Sequence, residues 1–316
     1  MSDDARMELF DQAIDALLRG APQASADAEF AALIEVAGVL RDLPEESFKD
    51  RLREHLERKT PMTASSPTAA FTIDAVTPFL TVAEGDRLIE FLKQTFDAEE
   101  TARAPHGPDG FVATVRIADS DLLILSGESV RGQERPAALH VYVKDTDAVY
   151  RRAIDAGAIT TPPGIGEPAD RPYGERSAFV TDLAGNQWYI ATRPGPNYIA
   201  EGLKAVTPYL HPAKARPVID FLKRAFGAEE MAVYEHEGRV MHAVIRVGEA
   251  MLEMGEADQP PVSFYVYTGD VDAVYRSALA AGAASVLAPA DQSYGDRLAI
   301  VRDPFGNLWY PAKRIA

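Results

Sequence analysis

The feature that most constrains this chain is an internal repeat. Ala75-Val76-Thr77-Pro78-Phe79-Leu80 returns as Ala205-Val206-Thr207-Pro208-Tyr209-Leu210, and Ile89-Glu90-Phe91-Leu92-Lys93 returns as Ile219-Asp220-Phe221-Leu222-Lys223. Asp147-Ala148-Val149-Tyr150-Arg151 matches Asp272-Ala273-Val274-Tyr275-Arg276, and Tyr173-Gly174-Glu175-Arg176 matches Tyr294-Gly295-Asp296-Arg297. Asp182-Leu183-Ala184-Gly185-Asn186-Gln187-Trp188-Tyr189 pairs with Asp303-Pro304-Phe305-Gly306-Asn307-Leu308-Trp309-Tyr310. Blocks that recur in one order are a tandem duplication, so whatever one copy folds into, the chain contains twice.

Within a copy the periodicity alternates between strand and helix. Ala75 to Val82 reads as a strand, with Pro78 suggesting an edge or first position. Leu88, Ile89, Leu92 and Phe96 place Asp86 to Phe96 on a helix. Phe111 to Ile117 and Leu122 to Leu125 are strands. A second half follows, with a strand at Ala138 to Val143 and a helix at Thr146 to Ala156 stopped by Gly157. A hairpin, Ser177 to Thr181 and Gln187 to Ala191, turns at Asp182 to Asn186, where Asp182 and Asp303 bond to turn amides. Each half is a βαβββ unit that cannot close a core alone. Copy two repeats the plan from Lys204 to Lys313. The fold class is α+β.

Ahead of the repeats, residues 1–59 read as an all-α headpiece. Its stretches are Met7 to Leu18, Ala26 to Leu40, and a third opened by Pro44 that uses Phe48, Leu52 and Leu56. Residues 60–70, rich in Ser, Thr, Ala and Pro, read as a linker. The expected domains are 71–195 and 203–316. The headpiece carries no obvious chemistry, which leaves packing, self-association into a homo-oligomer, or partner contact.

Composition excludes several functions. Against 32 basic residues stand 48 acidic ones, a net charge of -16, so the cationic footprint of a nucleic-acid binder is missing. No apolar run reaches the length of a membrane span. There is no cysteine, and the first residues are acidic and polar rather than a basic-then-apolar export signal. Cytoplasmic residence is the expectation. No phosphate loop, dinucleotide fingerprint or Ser-His-Asp pattern is present.

The blocks T-P-[FY]-L, D-A-V-Y-x-x-A, Y-G-[DE]-R and D-x-x-G-N-x-W-Y resemble those of the vicinal oxygen chelate superfamily, in its small bacterial glyoxalase/bleomycin-resistance-like branch. The resemblance covers residues 72 to 194 and 203 to 314. It implies paired βαβββ units wrapped around a cup, an intrachain pseudo-dimer of the two copies, and a small-molecule ligand. It does not choose among the lyases, dioxygenases, epimerases, transferases and drug binders that share the fold.

Metal-dependent relatives hold a divalent ion with His, Glu or Gln on inward-facing strands. The matching positions are Thr77, Ile124, His140 and Tyr189 in copy one, and Thr207, Glu253, Tyr265 and Tyr310 in copy two. Each copy thus offers one good ligand, and the expected cofactor is none. The alternative rests on half-domains exchanging between copies. Glu253 would then face His140, beside Thr207 and Tyr189, and could hold Fe, Mn, Ni or Zn.

Other candidates line the cups. Tyr189, Tyr265 and Tyr310 are expected to point inward, and Trp188 and Trp309 are read either as ligand-stacking walls or as sheet-to-helix packing. Tyr142 and Tyr267 lie on the same strands. His242 is read as a cavity or core histidine, with a functional base as the alternative, and is matched by Val112 in copy one; His211 is read as reaching the cup mouth. His55, His106 and His236 are read as surface residues. The Glu175–Arg176 and Asp296–Arg297 neighbours are expected to pair across their turn, with Arg176 or Arg297 as an anion-holding alternative. The leading reading is a metal-free aromatic-cup binder acting in resistance or sequestration. The others are a metal-dependent lyase or dioxygenase, and a protein in which one copy only supports the other.

Overall fold

A computed structural model describes residues 71–315 apart from Pro172, Pro196, Glu201 and Asp258. The expected headpiece and linker lie outside these residues. Four modules follow. The first comprises β1 (Ile73–Val82), α1 (Gly85–Phe96), β2 (Glu99–His106), β3 (Gly110–Ile117) and β4 (Ser120–Ser126). The second comprises β5 (Ala138–Tyr142), α2 (Thr146–Asp155), two short strands β6 (Ile159–Thr160) and β7 (Ala169–Asp170), then β8 (Arg176–Thr181) and β9 (Gln187–Thr192). The third has β10 (Val206–Leu210), α3 (Ala215–Phe226), β11 (Glu229–His236), β12 (Arg239–Val247) and β13 (Ala250–Met254). The fourth has β14 (Ser263–Thr268), α4 (Val271–Ala280), β15 (Ala284–Asp291), β16 (Asp296–Arg302) and β17 (Leu308–Arg314).

The modules exchange partners between the copies. One sheet of eight strands runs β15-β16-β17-β14-β1-β4-β3-β2, and one of nine runs β11-β12-β13-β10-β5-β9-β8-β6, with β7 on β8. The first module therefore shares a sheet with the fourth, and the second with the third. The cores follow a different rule. Leu80, Leu92, Phe96, Ile124, Leu139, Trp188 and Ile190, all from copy one, form one cluster, joined by Val206. Phe221, Leu222, Phe226, Leu252, Val266 and Trp309, all from copy two, form the other, joined by Ile73 and Val76. Helix α1 packs on α2 and α3 on α4 to close these cores. Each core belongs to one copy, and each sheet belongs to both.

Local sequence explains the joints. Asp145 and Asp270 cap α2 and α4, accepting from the amides of Ala148 and Ala273 at 2.9 Å. Pro78 is not at an edge, because β1 lies between β14 and β4. Its pairing with β14 ends at Pro78 and its pairing with β4 begins at Phe79, so the missing amide falls where the neighbouring strand changes. The Asp182 turn forms as read: Oδ1 accepts from the amides of Ala184 and Asn186 at 2.8 and 3.0 Å.

Candidate functional site

The exchange puts two residues from different copies face to face. Register aligns Thr207 with His140 and His140 with Tyr189, while Tyr209 aligns with Glu253 on the neighbouring strand. His140 Nδ1 lies 2.9 Å from Glu253 Oε2, and His140 Nε2 lies 3.8 Å from Glu175 Oε2. The Tyr142 hydroxyl donates to Glu175 Oε1 at 3.0 Å, and its ring lies against His140 with centroids 4.3 Å apart.

On the far side, Glu253 Oε1 is 3.5 Å from His242 Nε2, whose Nδ1 is 3.3 Å from the Tyr209 hydroxyl. Tyr209 stacks on His211 at 4.6 Å, and His211 Nε2 is 2.7 Å from the Tyr189 hydroxyl, which also reaches Gln187. Polar contacts and one stacked ring pair thus link these residues across one face of the nine-stranded sheet. We refer to this face as the His140 cup.

Burial and charge set its protonation. Burial opposes a charge on His140, but Glu253 and Glu175 on either side outweigh it, so its pKa rises. Burial pushes the Glu175 carboxyl up as well. Tyr142 is raised well above the usual phenol range by burial and by Glu175, and Tyr209 by burial and by Glu253. Burial pushes His242 down, and pushes His211 down to about 4. His140 thus lies between two carboxyl groups that favour its protonation, while burial disfavours charge on His242 and His211. Both His140 nitrogens face carboxylates, so it is not an open base. His242, with 27% of its side chain exposed, is the more accessible hydrogen-bonding group.

The concave face of the eight-stranded sheet differs. Thr77, Tyr265 and Tyr310 occupy the row equivalent to Thr207, His140 and Tyr189. Tyr265 and Tyr310 are stacked at 5.9 Å and 10°, with Phe79 edge-on to both. We refer to this face as the Tyr310 cup. The counterpart of Glu253 is Leu123, not Ile124, because Phe79 pairs with Leu123 as Tyr209 pairs with Glu253. Ile124 is fully buried in the copy-one core, one residue away and hence on the opposite face.

Trp188 and Trp309 line neither cup. Both are fully buried, packed on Phe96 and Phe226, and their indole nitrogens donate to Asp182 and Asp303 at 2.9 and 3.0 Å. Alternation explains this correction, since Tyr189 and Tyr310 take the cup side and their neighbours must take the core side.

The turn pairs also differ from expectation. Arg176 leaves Glu175 for Asp147 and Asp170, and Arg297 leaves Asp296 for Asp272 and Asp291. Gly174 and Gly295, with φ of 82° and 91°, close the turns into these strands, and alternation then sends the adjacent carboxylate and arginine to opposite faces. Glu175 is thereby released into the His140 cup, where the sequence reading had not placed it. The signal was present in the recurrent Asp147 and Asp272, which give each arginine a partner on a helix.

Residues 214–310 match the family model of the Glyoxalase/Bleomycin resistance protein/Dioxygenase superfamily. An uncharacterized protein of Mycobacterium bovis is 35% identical over 121 residues, covering 33% of this chain and 80% of that one. The chain belongs to this vicinal oxygen chelate superfamily. Glyoxalase I from Zea mays superposes with a TM-score of 0.60 at 13% identity, covering 76% of this chain and 92% of that one. A putative dioxygenase from Bacillus subtilis does so with 0.53 at 12% identity, covering 75% and 84%. At these identities the likeness is one of fold.

The superfamily's metal can be tested against these residues. A divalent ion needs about three protein ligands, and the family positions of the His140 cup supply Glu253 and His140 alone. Thr207 Oγ1 donates to the Lys204 carbonyl at 3.4 Å, and Tyr189 is committed to His211 and Gln187. Among the described residues no three His, Cys, Asp or Glu side chains are grouped so as to hold a metal. The family positions therefore supply two ligands of that kind. Also among the described residues, no helix is long and apolar enough to cross a membrane.

Proposed function

We propose that this chain is a small-molecule-binding protein of the glyoxalase/bleomycin-resistance type, capturing its ligand in metal-free cups in a resistance or sequestration role. The observation that carries this reading is the closed network of the His140 cup. His140 is hydrogen-bonded to Glu253, with Glu175 3.8 Å from His140 and His242 3.5 Å from Glu253. Around them Tyr142, Tyr189 and Tyr209 present rings and hydroxyls, the combination that holds planar ligands with polar edges.

A second reading, a metal-dependent lyase or dioxygenase, is favoured by one observation. His140 Nδ1 and Glu253 Oε2 are 2.9 Å apart, a separation that one ion could bridge.

A single experiment separates the two. Melting temperatures are measured with a panel of planar heteroaromatic antibiotics, with chelator and again after soaking in Ni, Fe, Mn or Zn. Binding at a hundred times Kd adds about 2.7 kcal/mol, a clear shift. Shifts that survive chelator support the binder. Stoichiometric metal, lost in His140→Ala, overturns it in favour of the metalloenzyme.

A further inference from the structure

The two cups are built on one plan, and the Tyr310 cup keeps Asp296, paired to Arg314, where the other has Glu175, but lacks the other cup's second acid and its histidines. Leu123 replaces Glu253, Tyr265 replaces His140, Val112 replaces His242 and Thr81 replaces His211. What it has gained is positive charge at one end. The Arg135 amide donates to the Thr81 carbonyl as the Gln259 amide donates to the His211 carbonyl, so Arg135 takes the place of Gln259. Arg302 closes β16 where Thr181 closes β8, on the face it shares with Asp296 and Ile300.

Two arginines thus stand at one end of this cup. Neither makes an ion pair with a carboxylate among the described residues. Arg135 is half-buried, and the one hydrogen bond its guanidinium makes there is to the Gly306 carbonyl at 3.1 Å. The nearby Asp303 is consumed by its own turn and by Trp309. Arg302 pairs with Leu308, two residues before Tyr310 on β17, and Arg135 is bonded to the turn that leads into the same strand. Arg135 is half-buried without a counter-charge while Arg302 is exposed, and an anion held between them would offset their repulsion.

We propose that the Tyr310 cup is a second, chemically distinct ligand site that takes a planar aromatic carboxylate. The ligand ring lies on the Tyr265–Tyr310 floor against Phe79, and Arg135 with Arg302 holds the carboxylate. Arginine's planar fork matches a carboxylate in two parallel hydrogen bonds, and stacked rings supply apolar area beside it. The assignment rests on the reading that the cups bind small molecules, and it adds a ligand class.

The test is calorimetric titration of the full chain with 2-naphthoate and with its neutral amide, 2-naphthamide. The acid is expected to bind once per chain, at least about tenfold tighter than the amide, from the desolvated charge pairing. Arg135→Gln combined with Arg302→Thr, the residues copy two's and copy one's counterpart positions already carry, abolishes that preference. Arg216→Gln combined with Lys223→Gln, which removes the same two charges from surface ion pairs, preserves it. Equal affinity for acid and amide, a preference that survives the double variant, or no binding of the acid by folded protein overturns the assignment. If antibiotics of the earlier panel still raise the melting temperature, only the carboxylate site falls. If neither probe binds, the cup reading falls with it.

Discussion

Replacing Glu253 by leucine tests the network where it is most deeply buried. Glu253 is 3% exposed and bridges His140 at 2.9 Å and His242 at 3.5 Å. Removing one member of a buried pair strands the other, at about 3 kcal/mol or more. For a chain of this size that is roughly 6–12 °C in melting temperature, at about 2–4 °C per kcal/mol. His140→Tyr alone strands Glu253 beside His242 and costs a similar amount. The double variant recreates the pair that the Tyr310 cup already has, Leu123 with Tyr265. It should therefore lose about 3 kcal/mol rather than the roughly 6 of independent sites, a coupling of about 3 kcal/mol. Denaturant unfolding of the four proteins at pH 6 measures it. A coupling below about 0.5 kcal/mol would show that the two side chains do not depend on one another, and the network argument would be wrong.

Other consequences follow from the same geometry. His211, held down to about 4 from 6.5, favours the folded state above its unfolded pKa, and that advantage disappears as pH falls through the interval between them. The loss is about 3 kcal/mol, and His211→Thr should flatten the acid limb of a stability–pH curve; an unchanged limb counts against a buried neutral imidazole. His140 has the opposite sign. With its pKa raised, its stabilisation is complete below its unfolded value and declines as pH rises through the folded value, a slope His140→Tyr should erase in the same titration. Trp309→Phe removes a donor from buried Asp303 and should cost about 1–3 kcal/mol in denaturant unfolding. Ligand affinity should not move, and a change of tenfold would return Trp309 to the cup.

How much of this was legible depended on what each residue's neighbours revealed. The duplication, the βαβββ order and the Asp182 turn follow from local patterns, so they could be read directly. The meeting of His140 with Glu253 was readable as a consequence of module exchange, because the family positions were matched before any contact was known. Faces were harder. A strand's inward side is fixed only by an anchor, and the gap between copies misplaced Leu123 by one residue, which exchanges cup for core. Trp188 stayed ambiguous until Tyr189 was anchored beside it. Tyr209 was hidden inside a block that served as evidence of repetition. Arg135 lies in the segment between modules, where the copies share no block, so its equivalence to Gln259 rests on backbone pairing alone.

The division between cores and cups explains how the copies could diverge. A core built by one copy constrains its own helices and the buried side of its strands, so the matching tryptophans and aspartates serve each copy by itself. A cup draws one module from each copy, and every module faces one cup only. Substitutions on a cup face can therefore accumulate without disturbing the other cup. The same division makes the His140–Glu253 pair a property of the fused chain. Two copies of the first repeat, exchanged in the same way, would set His140 against Leu123. Two copies of the second would set Tyr265 against Glu253. Neither pairing sets an imidazole against a carboxylate, so the contact needs one module from each repeat.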